Sequence, residues 1–162
     1  MKSRKRGSRA PGSSGTAPQT DGPRNLYSLA EGETFALGQA LGRTLKGGEM
    51  ILLFGELGAG KTVFARGIAS ALGIDPNEVG SPTFILVDRH IGRLTLYHAD
   101  LYRLDRQEEV LELGLEEFAA LGAVVVVEWG EKLPAELREG AIEVRLTDLG
   151  DDTRRITFGA SS

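Results

Sequence analysis

Gly55-Glu56-Leu57-Gly58-Ala59-Gly60-Lys61-Thr62 fits the spacing G-x-x-x-x-G-K-[ST], with the apolar run Met50-Ile51-Leu52-Leu53-Phe54 before it and a helical pattern after it. A strand, a glycine-rich loop and a helix in that order are the context this motif requires. Glycines let the backbone curl until several N–H groups point at one anion. The helix that follows adds its positive N-terminal end, and Lys61 adds a full charge. Thr62 can set its hydroxyl on a magnesium ion that bridges the same phosphates. A glycine-rich turn that binds nothing would explain the glycines, but not Lys-Thr directly after the last of them. The loop residues Glu56, Leu57, Gly58, Ala59, Gly60, Lys61 and Thr62 are therefore expected to bind a nucleoside triphosphate.

The flanking sequence supplies the rest of an α/β domain. Asn25–Leu29 reads as a short first strand. Leu37, Leu41 and Leu45 recur at helical spacing and mark the inward face of a helix from Glu33 to Lys46, with Gly47-Gly48 as its stop. Met50–Phe54 is apolar throughout, as suits a strand covered on both faces. Lys61–Leu72 is the loop helix, burying Phe64, Ile68, Ala71 and Leu72. Thr83–Val87 and Leu94–Asp100 read as a hairpin across Arg89–Arg93, and Asp105 with Glu108 resembles a capping box. Gly114 splits the acidic stretch that follows into two short helices. Val124–Val127 is a second central strand. Ala141–Thr147 and Arg154–Phe158 form a closing hairpin around residues 148–152. The pattern predicts a three-layer P-loop domain whose sheet mixes parallel and antiparallel strands.

Bulk properties bound the function. A length of 162 residues suits one domain. There is no run of 18 apolar residues to span a membrane. With no cysteine in the chain, disulfides, thiolate metal sites and a cysteine nucleophile are excluded, which fits a cytoplasmic protein. The net charge of −4 hides an asymmetry: residues 1–24 hold six basic residues against one acid, a net of +5, so the remainder carries −9. The first 24 residues are rich in Gly, Ser, Pro and Arg and contain no large apolar residue after Met1. They are expected to form a disordered basic tail ahead of a folded domain at 25–162. Lys/Arg clusters attract phosphate, so the tail is a candidate for nucleic-acid contact or a solubilising extension.

Hydrolysis needs a carboxylate to hold magnesium and a means of orienting water. Two acids stand where strands should end: Glu128 after Val124–Val127, and Asp100 after Leu94–Ala99. In open α/β sheets ligands gather outside the carboxyl ends of the strands, so both can converge on the loop. Ser81-Pro82-Thr83 falls where nucleotide switches place a hydroxyl that senses phosphate or magnesium, though a turn with locally bonded hydroxyls reads equally well. His98 fits either a base or a hydrogen bond within the strand pair. Trp129 fits a packing role beside Glu128 or a partner surface.

In this order, the loop, Ser81-Pro82-Thr83-Phe84, His98-Ala99-Asp100-Leu101-Tyr102-Arg103-Leu104 and Glu128-Trp129 resemble the TsaE (YjeE) ATPases of bacterial tRNA threonylcarbamoyladenosine synthesis. The resemblance runs from about Leu29 to Phe158. It implies a magnesium-dependent ATPase that does not transfer the threonylcarbamoyl group itself. Such a protein docks on the TsaD subunit and its TsaB partner, meets tRNA through that complex, and resets it by ATP turnover. By this resemblance Lys61 and the loop amides cradle the phosphates of ATP, and Thr62 and Glu128 hold Mg2+. Asp100 is the acid needed for hydrolysis, Thr83 the switch-like hydroxyl, Trp129 a support of the site, and Thr34 a further nucleotide contact. The long basic tail and the segment His90-Ile91-Gly92 depart from the family pattern. Three other readings compete. A small-molecule kinase wants an arginine-rich lid, and the segment after Arg103 is acidic. A GTP switch wants D-x-x-G and N-K-x-D segments, which are absent. A non-hydrolysing binding module shares these residues.

Overall fold

The computed structural model describes residues 24–80 and 86–160. The expected tail up to residue 23, and Ser81-Pro82-Thr83-Phe84 with it, lie outside the described residues.

Seven strands form one sheet: β1 (Arg24–Ser28), β2 (Met50–Phe54), β3 (Val87–Ile91), β4 (Thr95–Asp100), β5 (Val124–Glu128), β6 (Ile142–Gly150) and β7 (Thr153–Ala160). Their order across the sheet is β1-β7-β6-β2-β5-β4-β3. The central four, β6, β2, β5 and β4, are parallel, and the remaining pairs are antiparallel. The mixed sheet expected from the sequence is thus present. The all-apolar strands β2 and β5 sit side by side at its centre, buried along their whole length. Only a strand covered on both faces can be apolar at every position.

Strand alternation divides the core in two. Ile51, Leu53, Leu96, Val124, Val126, Val144, Leu146 and Ile156 face one way, against Phe64, Ala65, Ile68 and Ala69 of α2 (Lys61–Ala71) and Leu72 just after it. Met50, Leu52, Phe54, Ala99, Val125 and Val127 face the other way, against Val110 of α3 (Gln107–Glu112) and Leu115 of α4 (Leu115–Ala120). The result is three layers: helices, sheet, helices. Phe64 is fully buried, and its loss to alanine would cost about 3–5 kcal/mol by the usual cavity arithmetic.

Helix α1 (Glu31–Gly42) lies on α2, and the contact departs from expectation. Its buried positions are Thr34, Gly38 and Gly42, with Leu37 and Leu41 only half-buried beside them. The crossing is too close for large side chains. A Cβ on Gly38 would stand 2.3 Å from the Phe64 carbonyl oxygen, and one on Gly67 would stand 2.1 Å from that of Phe35. The helix also begins two residues earlier than predicted and ends at Gly42. The chain then winds through turns closed by Thr44 N–H to Leu41 O and Leu45 N–H to Gly42 O before Gly47 and Gly48.

Other boundaries move for local reasons. Strand β1 starts at Arg24. Arg89 and His90 stay in the ladder opposite Tyr97 and Leu96, so the β3–β4 turn is Gly92–Leu94 rather than residues 89–93. Arg106, not Asp105, precedes α3, and no side-chain cap bond forms there. Gly114 does separate α3 from α4. The closing hairpin is longer than expected because Asp148 and Gly150 still pair with β7. Asp151 and Asp152 form its tip, both at positive φ, as a tight two-residue turn demands.

Candidate functional site

The parallel register decides where the site lies. Leu53 of β2 stands opposite Glu128 of β5, and Asp100 of β4 stands opposite Glu128 on its other side. Both acids therefore end their strands beside the loop that leaves β2. That loop closes with Ala59 N–H donating to Glu56 O at 3.1 Å and hands over to α2 at Gly60, whose φ of 104° suits glycine. The first amides of α2 have no carbonyl one turn earlier to bond, so they face outward at the positive end of the helix.

A cleft of about 390 Å³ opens at this point, a size suited to a nucleotide. Leu57, Gly58, Gly60, Lys61, Thr62, Asp100, Glu128 and Thr34 line it, as do Trp129, Tyr102 and Arg154. Leu57 stands 74% exposed at the loop tip, whereas Ala59 is buried beneath it. Glu56 enters through its backbone, because its carbonyl accepts from both Ala59 N–H and Lys61 Nζ.

Lys61 is 5% exposed. Its Nζ donates to Gly55 O and Glu56 O and lies 4.2 Å from the centre of the Trp129 ring. Burial pushes its ammonium below the ordinary lysine value, while Glu128, Glu131, Asp100 and Glu56 pull it back upward. Trp129 reaches this position through a backbone at φ 61° and ψ 48°, where residues other than glycine are uncommon and which costs about 1–3 kcal/mol. Tyr102 packs against the indole with ring centres 5.1 Å apart.

Thr62 Oγ1 lies 3.0 Å from each oxygen of the Glu128 carboxylate. His98 Nε2 meets Glu128 Oε2 at 2.6 Å, and both side chains are buried. His98 thus bonds across to the next strand's acid. Asp100 Oδ1 accepts from Tyr102 N–H at 2.9 Å, which fixes that carboxylate over the turn after β4. Thr34 is 2% exposed and bonds Ser28 Oγ at 2.7 Å, holding the start of α1 against the cleft. The structure therefore gathers Lys61, Thr62, Asp100, Glu128, Thr34 and the loop at one place. Thr83 lies outside the described residues.

Arg154 also lines the cleft, and sequence reasoning did not single it out. Its Nε donates to Ala59 O at 3.1 Å and one terminal nitrogen to Gly58 O at 3.4 Å, while the other pairs with Asp148 Oδ1 at 3.1 Å. It arrives from β7, which pairs with β1 so that Arg154 stands opposite Ser28. No local signal marks it, since a loop more than ninety residues away gives it its meaning.

Comparison with known proteins gives the family. The family model described as "Threonylcarbamoyl adenosine biosynthesis protein TsaE" matches residues 29–156. The tRNA threonylcarbamoyladenosine biosynthesis protein TsaE of Treponema pallidum is 43% identical over 125 residues, covering 77% of this chain and 92% of that protein. The protein of that name from Bacillus subtilis is 39% identical over 129 residues, covering 79% and 80%. The crystal structure of YdiB from Bacillus subtilis superposes with a TM-score of 0.67 at 30% identity, covering 86% of each chain. With the phosphate loop, the paired strand-end acids and these matches in hand, the chain belongs to the TsaE family of threonylcarbamoyl adenosine biosynthesis proteins.

Proposed function

We propose that this chain binds and hydrolyses ATP as a subunit of the cytoplasmic machinery that makes N6-threonylcarbamoyladenosine at position 37 of tRNA. In this reading it docks on the TsaB–TsaD pair, and its ATP turnover resets that pair between rounds. It meets tRNA through the complex and does not transfer the threonylcarbamoyl group. The strongest support is the meeting of Lys61, Thr62, Asp100 and Glu128 in one cleft at the N-terminus of α2. The sequence-based division into a basic tail of 24 residues and an ATPase domain at 25–162 is part of the same proposal, with the boundary one residue earlier because Arg24 already pairs in β1.

The residues fit a magnesium nucleotide. Thr62 Oγ1 and the Glu128 carboxylate are hard oxygen donors 3.0 Å apart. Among the described residues, no group of three or more His, Cys, Asp or Glu could hold a metal by itself. Mg2+ is commonly bound by one or two protein oxygens together with phosphates and water, so Thr62 and Glu128 would hold it as it arrives with ATP. Bound there, it would neutralise charge developing on the transferred phosphoryl group.

The chain's own residues do the remaining work. Amides of Gly58, Ala59 and Gly60 and the first turn of α2 receive the phosphates, with Glu56 and Leu57 shaping the loop. Lys61 gives up its carbonyl partners and offers its ammonium to the phosphate oxygens. Trp129 and Tyr102 shield that charge from water, which strengthens it. Asp100 accepts a proton from, or orients, the attacking water, and Thr34 contacts the nucleotide beside α1. Thr83 is the proposed switch hydroxyl. A kinase reading gains nothing from the geometry. Arg154 is the single arginine lining the cleft among the described residues, and it is tied to the loop and to Asp148 rather than carried on a lid.

Lys61→Ala tests the site. ATP hydrolysis by the isolated protein should fall roughly a hundredfold or more, as it does when a main electrostatic stabiliser is lost. Hydrolysis at the parent rate would contradict the assignment.

A further inference from the structure

His98 is fully buried on β4, on the face it shares with Leu96 and beside Val124 and Val126 of β5. That face otherwise packs apolar side chains against α2, and a leucine would fill the same space. An imidazole in such surroundings costs free energy unless it is bonded. Its one bond goes to a single atom: Nε2 meets Glu128 Oε2 at 2.6 Å. The register explains the reach, since His98 pairs with Val126, one same-face step before Asp100 pairs with Glu128.

The ring's other nitrogen settles the direction of that bond. Among the described residues Nδ1 has no hydrogen-bond partner. A proton there would be an orphaned N–H and would leave the Nε2 lone pair facing a carboxylate. A proton on Nε2 is donated to Glu128 and leaves only a lone pair unpaired. Thr62 has one hydroxyl proton and lies 3.0 Å from both carboxylate oxygens, so it bonds one at a time. Among the described residues, His98 makes the hydrogen bond that distinguishes Oε2 from Oε1.

We propose that His98 is a positioning residue for the magnesium nucleotide: it anchors Glu128 through Oε2, so that Oε1 and the Thr62 hydroxyl are kept for the divalent cation. This rests on the Mg-ATP reading of the cleft given above. Partners that orient a metal-binding side chain typically matter about 10–100-fold in metal affinity. The effect belongs to the cation, because the imidazole's hydrogen bond goes to Glu128 and not to the phosphate-binding loop.

Three substitutions separate this role from a structural one. His98→Leu and His98→Asn lose the bond, the second because its amide is too short to reach. His98→Gln places an N–H near the position of Nε2. Manganese binding in the presence of ATP, followed by electron paramagnetic resonance, should weaken about 10–100-fold in His98→Leu and His98→Asn and recover in His98→Gln. ATP affinity in EDTA, read from the fluorescence of Trp129, the only tryptophan of the chain, should change less than about twofold, since the loop is untouched. Equal manganese affinity in all folded variants, or an equal loss with and without the metal, would overturn the proposal. In the parent protein the His98 tautomer, read by long-range proton–nitrogen correlation, must carry its proton on Nε2, and a proton on Nδ1 would also overturn it. A parent protein that binds no ATP at all would instead refute the reading of the cleft.

Discussion

Lys61 holds its ammonium between two loop carbonyls and the Trp129 ring, and the cost of burying that charge is what lowers its proton affinity. Below the lowered folded value the ammonium is charged in both folded and unfolded chains, and the penalty on the fold is complete. As pH rises toward the unfolded value of 10.5 the folded lysine loses its proton first, so the penalty fades and stability increases. Lys61→Met removes the charge while keeping much of the stem's packing. It should melt no lower than the parent at pH 7, and any advantage should shrink as the pH approaches 10.5. Thermal unfolding at pH 7 and 9.5 measures this, and an advantage that grew with pH would contradict it. The same residue explains why the site tolerates a tryptophan in a left-handed conformation. The strained turn at Trp129 is what sets an aromatic face against the cation, an interaction worth about 0.5–2 kcal/mol.

The contact between α1 and α2 depends on backbones that touch. Gly67→Ala places a methyl group where the Phe35 carbonyl oxygen already stands, so it should destabilise the protein by about 1–3 kcal/mol or more through overpacking. Gly32→Ala in the same helix pair meets no atom within 4 Å and should leave stability unchanged or raise it by up to about 1 kcal/mol. Urea unfolding of the two variants checks the contrast. Equal effects would mean that the helices have room to separate. This contact also shows what sequence periodicity leaves out. Leu37, Leu41 and Leu45 do pack on or in the core, but the fully buried stripe of α1 is Thr34, Gly38 and Gly42, because the helix crossing needs closeness rather than bulk. Elements with uniform composition were legible for a physical reason: strands β2 and β5 are apolar at every position because both faces are covered. The loop was legible because its glycines and Lys-Thr serve one purpose. Arg154 was not, since it reaches the loop only through the pairing of β7 with β1 and β6.

Across the described residues, one sheet sets three strand ends in a row and brings residues from positions 31 to 154 around a single cleft. That arrangement supplies a phosphate loop, hard oxygen donors and a positioned acid, the parts that the proposed ATP turnover requires. It offers no arginine-bearing lid among the described residues. Such a site makes sense as the timing element of a larger assembly, the role proposed within threonylcarbamoyl adenosine synthesis. The most direct measurement is multiple-turnover formation of N6-threonylcarbamoyladenosine on tRNA by a reconstituted TsaB–TsaD pair. With this chain and ATP present, modification should continue through many rounds, and with Lys61→Ala in its place it should stop near a single round. Sustained modification without this chain, together with no binding of the chain to the pair, would contradict the account.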